Sequence, residues 1–113
     1  MPDFDPLIKK ISDYVQSYQA KDESLQEAKT CFFDSIACAF MALEHDQVKK
    51  FIEIDYIKNS QGSVRVIGTD LKTNALDATF LNGALIRWLD FNDTWLAKEW
   101  GHPSDNLLSL IHI

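Results

Sequence analysis

The sequence predicts a mainly α-helical domain with room for one short strand near residues 64–67. Apolar residues recur at helical spacing over residues 7–18 and again over 78–88, and a long apolar run stands between them behind a capping signal. Strand-like alternation is confined to "SVRVIGT".

Asp5-Pro6 opens the first helix, an N-cap acid followed by a proline whose missing N–H costs nothing at the first helical position. Leu7, Ile8, Ile11, Tyr14, Val15 and Tyr18 then share one face, leaving Lys9, Lys10, Asp13 and Gln16 outward. The pattern breaks near Ala20-Lys21-Asp22.

Ser24-Leu25-Gln26-Glu27 reads as a capping box, in which the Ser hydroxyl and the Glu carboxylate satisfy orphan N–H groups reciprocally. The second helix is expected to run from there to about Leu43. From Phe32 onward it is apolar on nearly every side, as a central core helix is, and Ala37, Ala39 and Ala42 invite close neighbours. "KNSQGS" is a loop by composition and leads into the short strand.

Asn74 to Leu89 reads as a third helix, capped by Thr73 or Asn74, with a stripe of Ala78, Leu81, Leu85 and Trp88 widened by Phe80, Ala84 and Ile86. Gly83 in its middle costs roughly 1 kcal/mol against Ala and hints at close packing. Pro103-Ser104 starts a fourth helix.

Composition narrows the function classes. The 113 residues suffice for one domain, 46% hydrophobic and 25% charged, with a formal charge of −6. That balance argues against nucleic acid and against an anionic membrane as partners, because both need clustered Lys and Arg. "CFFDSIACAFMAL" is shorter than the roughly 20 residues a bilayer needs and contains Asp34. "MPDFDPLIKK" has no signal-peptide apolar region, so a cytoplasmic location is expected. Cys31 and Cys38 lie two helical turns apart, roughly 10 Å at 1.5 Å per residue, too far for a mutual disulfide. Neither belongs to a C-x-x-C pair, so neither zinc nor an iron–sulfur cluster has support, and buried reduced thiols are the plain reading.

The chemistry concentrates in "RWLDFNDTWLAKEWGHPSDNL", residues 87–107. Asp90 and Asp93 follow the C-terminal end of the third helix, where the macrodipole disfavours an anion. Each can instead serve as N-cap of the next turn, a frequent task for Asp. Trp95 and Trp100 read as core or pocket wall. His102 precedes Pro103, which pushes its backbone to an extended conformation and constrains the loop that carries it. His, Asp and Thr gathered within so few residues and bounded by Trp make the strongest case for a site. His45, near the end of the second helix, is accounted for by the dipole there.

At these residues the sequence resembles a known family. "FLNGALIRWLDFNDTWLAKEWGHPSDNL" is similar to the MmgE/PrpD family, and within it to the members that dehydrate 2-methylcitrate; "DSIACAFMAL" resembles that family's long N-terminal helix. The likeness runs from about residue 3 to 107, and its most specific part is D-F-N-D-T-W-x-x-x-E-W-G-H-P-S-D-N. It implies the N-terminal part of a large helical domain, homodimers when the chain is full-length, and removal of water from a small tricarboxylate in propionate breakdown without an iron–sulfur cluster or other cofactor. By motif position it makes Asp90, Thr94 and His102 the catalytic residues, with no metal and with the substrate-binding residues left open.

Those residue types suit the reaction: elimination of water needs a base for the C–H beside a carboxylate and an acid for the leaving hydroxyl. His102 serves in proton transfer or, protonated, holds a carboxylate; Asp90 donates if its pKa is raised; Thr94 positions a carboxylate. The roles of His102 and Asp90 can be exchanged on this reading. A cis-aconitate-type decarboxylase of the same family is the alternative, although "WLAKEWG" fills a stretch that looks shorter in those relatives. A non-catalytic helical interaction module is another, and folding of the chain on its own would favour it.

The resemblance also implies later site residues, a His, Lys and Tyr among them, beyond position 107, so residues 1–107 are expected to be a truncated helical domain that is inactive alone. "LSLIHI", residues 108–113, translates the string CTGTCTCTTATACACATC, the transposase mosaic-end adapter of sequencing libraries. A read-through tail is therefore expected there, which leaves His112 without a role.

Overall fold

The computed structural model describes residues 5–111. Residues 112–113, with His112 and the end of the expected tail, lie outside the described residues.

Helix α1, Pro6–Ser17, begins as its sequence dictates: Asp5 accepts from the Leu7 amide at 2.7 Å and Pro6 takes the first turn. Its apolar stripe has the expected spacing but is not covered, for Leu7, Ile8, Ile11, Tyr14 and Val15 are all more than half exposed and α1 has no buried residue.

Helix α2 spans Asp22–Ala42 and starts ahead of the expected capping box. Lys21 is its N-cap and makes no side-chain cap bond; Asp22 and Glu23 supply acidic charge to the first turn, where the dipole favours it. Ser24 thus stands inside the helix. The core-helix reading of α2 holds on one face, where Ser35, Cys38, Ala39 and Ala42 are buried, while Phe33, Phe40 and Met41 are exposed.

The stretch read as loop and strand holds more structure than its composition suggested. Two short helices, α3 over Asp46–Ile52 and α4 over Asp55–Asn59, precede strand β1, Val64–Arg65, which pairs antiparallel with β2, Lys72–Thr73. The turn between the strands closes through Gly68, at φ 72°, a conformation that glycine adopts without steric cost.

Helix α5, Ala75–Arg87, is capped by Asn74, whose side chain accepts from the Asp77 amide at 2.9 Å. Ala78, Leu81, Leu85 and Ile86 are buried as their spacing predicts, but Phe80 stands 61% exposed against the edge of Phe51, and Trp88 is 41% exposed just past the helix. The α2–α5 contact is the main one in the domain. Its core joins Ala39 and Ala42 of α2 to Leu81, Leu85 and Ile86 of α5, with Val48, Ile57 and Val66 closing the side. Burial of Leu81 alone contributes roughly 1.5–3 kcal/mol. The last helix, α6 over Ser104–Ile111, starts at the expected residue and leans on both α2 and α5.

Two carboxylates knot this frame. Asp77 is 7% exposed and accepts from Asn74 at 2.7 Å, from the Ser60 hydroxyl, and from Tyr56 at 3.3 Å, with Thr73 at the margin, 3.5 Å away. It ties α4 and β2 to the start of α5. The second is Asp93, at the candidate site.

Candidate functional site

The segment after α5 turns sharply at Asp90, a non-glycine residue at φ 55°. Asp tolerates the left-handed region better than most residues, yet the conformation still costs of order 1 kcal/mol. Its amide donates to the Arg87 carbonyl at 3.1 Å, and its carboxylate meets Arg87 Nη2 at 3.2 Å. The anion at the unfavourable helix end is thus offset by a cation of the last turn. Sequence reading cast Asp90 as a donor; in the structure its side chain is 83% exposed and accepts from a guanidinium.

Arg87 also donates through Nη1 to Asn92 Oδ1 at 3.0 Å. Asn92 is buried and passes the network on, donating to Ser104 Oγ at 3.2 Å and Asp93 Oδ1 at 3.4 Å. Asp93 accepts from the Ser104 amide at 2.9 Å, so its carboxylate satisfies an N–H at the start of α6 from 11 residues upstream; it does not cap the turn that follows it in sequence, as the plain reading had it. Burial pushes the Asp93 carboxyl up, but hydrogen bonds from Ser104, Asn92 and the Cys31 thiol outweigh it and hold the group below its ordinary 3.8. Burial and the neighbouring Asp93 charge push the Cys31 thiol up, so it stays protonated and donates.

Beyond Asp93 the chain makes a narrow ribbon. Trp95 N donates to Gly101 O at 2.8 Å and Gly101 N to Trp95 O at 3.1 Å, an isolated antiparallel bridge. In that register the next residues outward are Thr94 and His102, a facing pair of the closer, non-hydrogen-bonded kind. His102 Nδ1 lies 2.7 Å from the Asp93 carbonyl oxygen. A carbonyl only accepts, so Nδ1 carries the proton and Nε2 is the basic nitrogen of the neutral ring. The ring edge also meets Trp100, centroid to centroid 5.4 Å. Thr94 Oγ1 donates to the Asn92 carbonyl at 3.3 Å.

The expected site residues are therefore joined in two ways. Thr94 and His102 are the residues next outward from the Trp95–Gly101 bridge, and Asp90 connects to His102 indirectly, through Arg87, Asn92 and Asp93. Sequence reasoning missed Arg87, Asn92, Ser104 and Cys31 as supports. The signals for Arg87 were its three-residue spacing from Asp90 and its place in the last turn of α5. The Cys31 contact, from a distant helix, had none.

The tryptophans are not core. Trp95 and Trp100 are 66% and 70% exposed. Trp95 does wall a cavity of about 460 Å³ between α2 and α6, shared with Glu27, Ala28, Cys31, Pro103 and Leu107. Among the described residues, no group of three or more His, Cys, Asp and Glu side chains is arranged to hold a metal ion, and no helix is long and apolar enough to cross a membrane.

Comparison with known proteins gives this geometry its context. Residues 9–111 match the MmgE/PrpD N-terminal domain. The chain is 45% identical over 108 residues to the 2-methylcitrate dehydratase of Escherichia coli K12, covering 94% of this chain and 22% of that enzyme. It is 41% identical over 111 residues to the 2-methylcitrate dehydratase of Cupriavidus necator, with the same coverage. To the mitochondrial 2-methylcitrate dehydratase of Yarrowia lipolytica it is 35% identical over 117 residues, 99% of this chain and 22% of the relative. The chain thus spans about a fifth of the length of these curated relatives, 22% in each case. On the match of nearly its whole length, the chain belongs to the MmgE/PrpD family and carries that family's N-terminal domain.

Proposed function

We propose that this domain supplies one part of the active site of a 2-methylcitrate dehydratase, with Asp90, Thr94 and His102 as its catalytic residues. The observation that carries the reading is the ribbon that sets Thr94 across from a His102 whose Nδ1–H is already committed to the Asp93 carbonyl. An imidazole held this way presents Nε2 as a base. It takes the proton from the carbon beside a substrate carboxylate as the C–O bond on the neighbouring carbon breaks, and the hydroxyl departs as water with a proton from an acid that the rest of the enzyme supplies. Thr94 turns its hydroxyl from the Asn92 carbonyl, 3.3 Å away, to donate to a carboxylate of the substrate. Asp90 accepts from the substrate hydroxyl, and Arg87 beside it keeps the tricarboxylate from meeting an uncompensated negative charge.

The cavity behind the ribbon is a poor home for such a trianion, because its walls are apolar and Glu27 is its charged member. The reaction so read uses no iron–sulfur cluster, and the working enzyme is a cytoplasmic homodimer completed by residues beyond this domain. No nucleic acid or membrane is involved.

The test is a chimera in which residues 5–107 of this chain replace the matching segment of the E. coli enzyme. Turnover of 2-methylcitrate that is lost on His102→Gln is the expected result. A folded, dimeric chimera with no such turnover sinks the reading, and carbon dioxide release from cis-aconitate by that chimera points to a decarboxylase instead.

A further inference from the structure

A general base needs a fixed tautomer, and the usual carboxylate partner for fixing one is not what His102 has. Its Nδ1 faces a main-chain carbonyl, that of Asp93, at 2.7 Å. A carbonyl in a loop moves with its peptide unless something holds the residue. The Asp93 side chain is held on several sides. The Ser104 amide donates to Oδ2 at 2.9 Å, Asn92 Nδ2 approaches Oδ1 at 3.4 Å, and the Cys31 thiol reaches it from α2. The Ser104 hydroxyl accepts from Asn92 at 3.2 Å, which ties that side-chain amide to the start of α6. One residue thereby joins α2, the start of α6 and the His102 ring. Among the described residues no cation pairs with this carboxylate: the guanidinium of Arg87 is engaged by Asp90 and Asn92. Its negative charge is balanced by hydrogen-bond donors alone.

We propose that Asp93 is a positioning residue for His102: its carboxylate anchors the peptide whose carbonyl fixes the imidazole in the Nδ1–H form, so that Nε2 is the basic nitrogen. This rests on the reading of His102 as the proton-transfer residue, and it adds which nitrogen works and what holds it.

The tautomer can be read without substrate. In the 113-residue chain carrying His45→Gln and His112→Gln, His102 is the remaining histidine, and its ring nitrogens are followed by ¹⁵N NMR above the imidazole titration range. The expected spectrum has a protonated Nδ1 and an unprotonated Nε2. Asp93→Ala is expected to replace this with a mixture weighted to Nε2–H, the form free histidine side chains favour. Asp93→Asn, which keeps an acceptor for the Ser104 amide, is expected to fall between, and it carries the test if the alanine variant does not fold. An Nε2–H ring or an averaged His102 signal in the parent chain overturns the proposal. So does an unchanged Nδ1–H form in both Asp93 variants. If the tautomer and its Asp93 dependence are as stated but the chimera does not turn over 2-methylcitrate, the positioning stands and the substrate reading falls.

Discussion

Asp77, buried, and Asp93, half-buried, are two carboxylates that solve the same local problem and serve different ends. Each sits at the start of a helix, each is held by hydrogen bonds and not by a cation, and each has its carboxyl below the ordinary value. Asp77 gathers Ser60, Asn74, Tyr56 and Thr73, all of which end there: they fasten α4 and β2 to α5. Asp93 gathers Ser104, Asn92 and Cys31, and its own carbonyl then reaches onward to His102. A knot whose bonds all close on themselves is a structural one. A knot with one bond leading out to a titratable ring of suitable tautomer is a candidate for chemistry.

The largest expected effect separates the two at once. In the chimeric enzyme, His102→Gln is expected to lower kcat roughly 10²–10⁴-fold, the range general acid–base catalysis supplies, with the melting temperature little changed. Asp77→Asn in the same protein is expected to do the reverse, lowering the melting temperature while kcat per folded enzyme holds. A loss of kcat with Asp77→Asn, measured on the folded fraction, would break the comparison.

Next in size is pressure on the structural knot from outside. A Cβ at Gly62 would lie 2.2 Å from the Thr73 carbonyl oxygen, a backbone atom that cannot swing away. Gly62→Ala is therefore expected to cost about 1–3 kcal/mol, as overpacking does, read as a lower midpoint in urea. Asn74→Ala removes the N-cap of α5 and a donor to Asp77 together, and is expected to cost about 1 kcal/mol. Neither change touches the ribbon, so His102 should keep its tautomer in both; a tautomer change in either would show that the knots are coupled through α5.

The two knots were unequally visible in the sequence. Asp5, Asn74 and Ser104 marked helix starts because capping is a matter of neighbouring residues, and the Leu81–Leu85 stripe marked the buried face of α5 because a period needs no knowledge of the partner. Asp90, Thr94 and His102 stood out by their clustering and by the family motif. The supports did not. Ser60 lies 17 residues from Asp77, and Cys31 is further still from Asp93, so neither contact could be read from local spacing. The capping box at Ser24 misled because Asp22 and Glu23 give the dipole its charge one turn earlier, and α3 and α4 were missed because each is too short to show a period. Trp95 and Trp100 read as core or pocket wall; neither is core, and Trp95 walls the cavity between α2 and α6.

The smallest difference between the knots is expected in acid, where both act in the same sense. For each carboxyl the folded value is below the unfolded one, which for Asp is near 3.8. The unfolded chain therefore binds more protons over the interval between the two values, and stability rises with pH there. The contribution is fully present above the unfolded value and is lost as pH falls through it toward the lower folded one. At Asp77 the first cause is the Ser60 hydroxyl, with Asn74, Tyr56 and Thr73 adding to it against partial burial. At Asp93 burial is the largest influence and works the other way, so its lowering survives only because the Ser104, Asn92 and Cys31 donors outweigh it. Asp77→Asn and Asp93→Asn should each flatten the fall in urea midpoint measured from pH 5 down to pH 3. If only one of the pair flattens the profile, the other carboxylate is not held by its donors in solution. Were that one Asp93, the anchor proposed for His102 would fall with it.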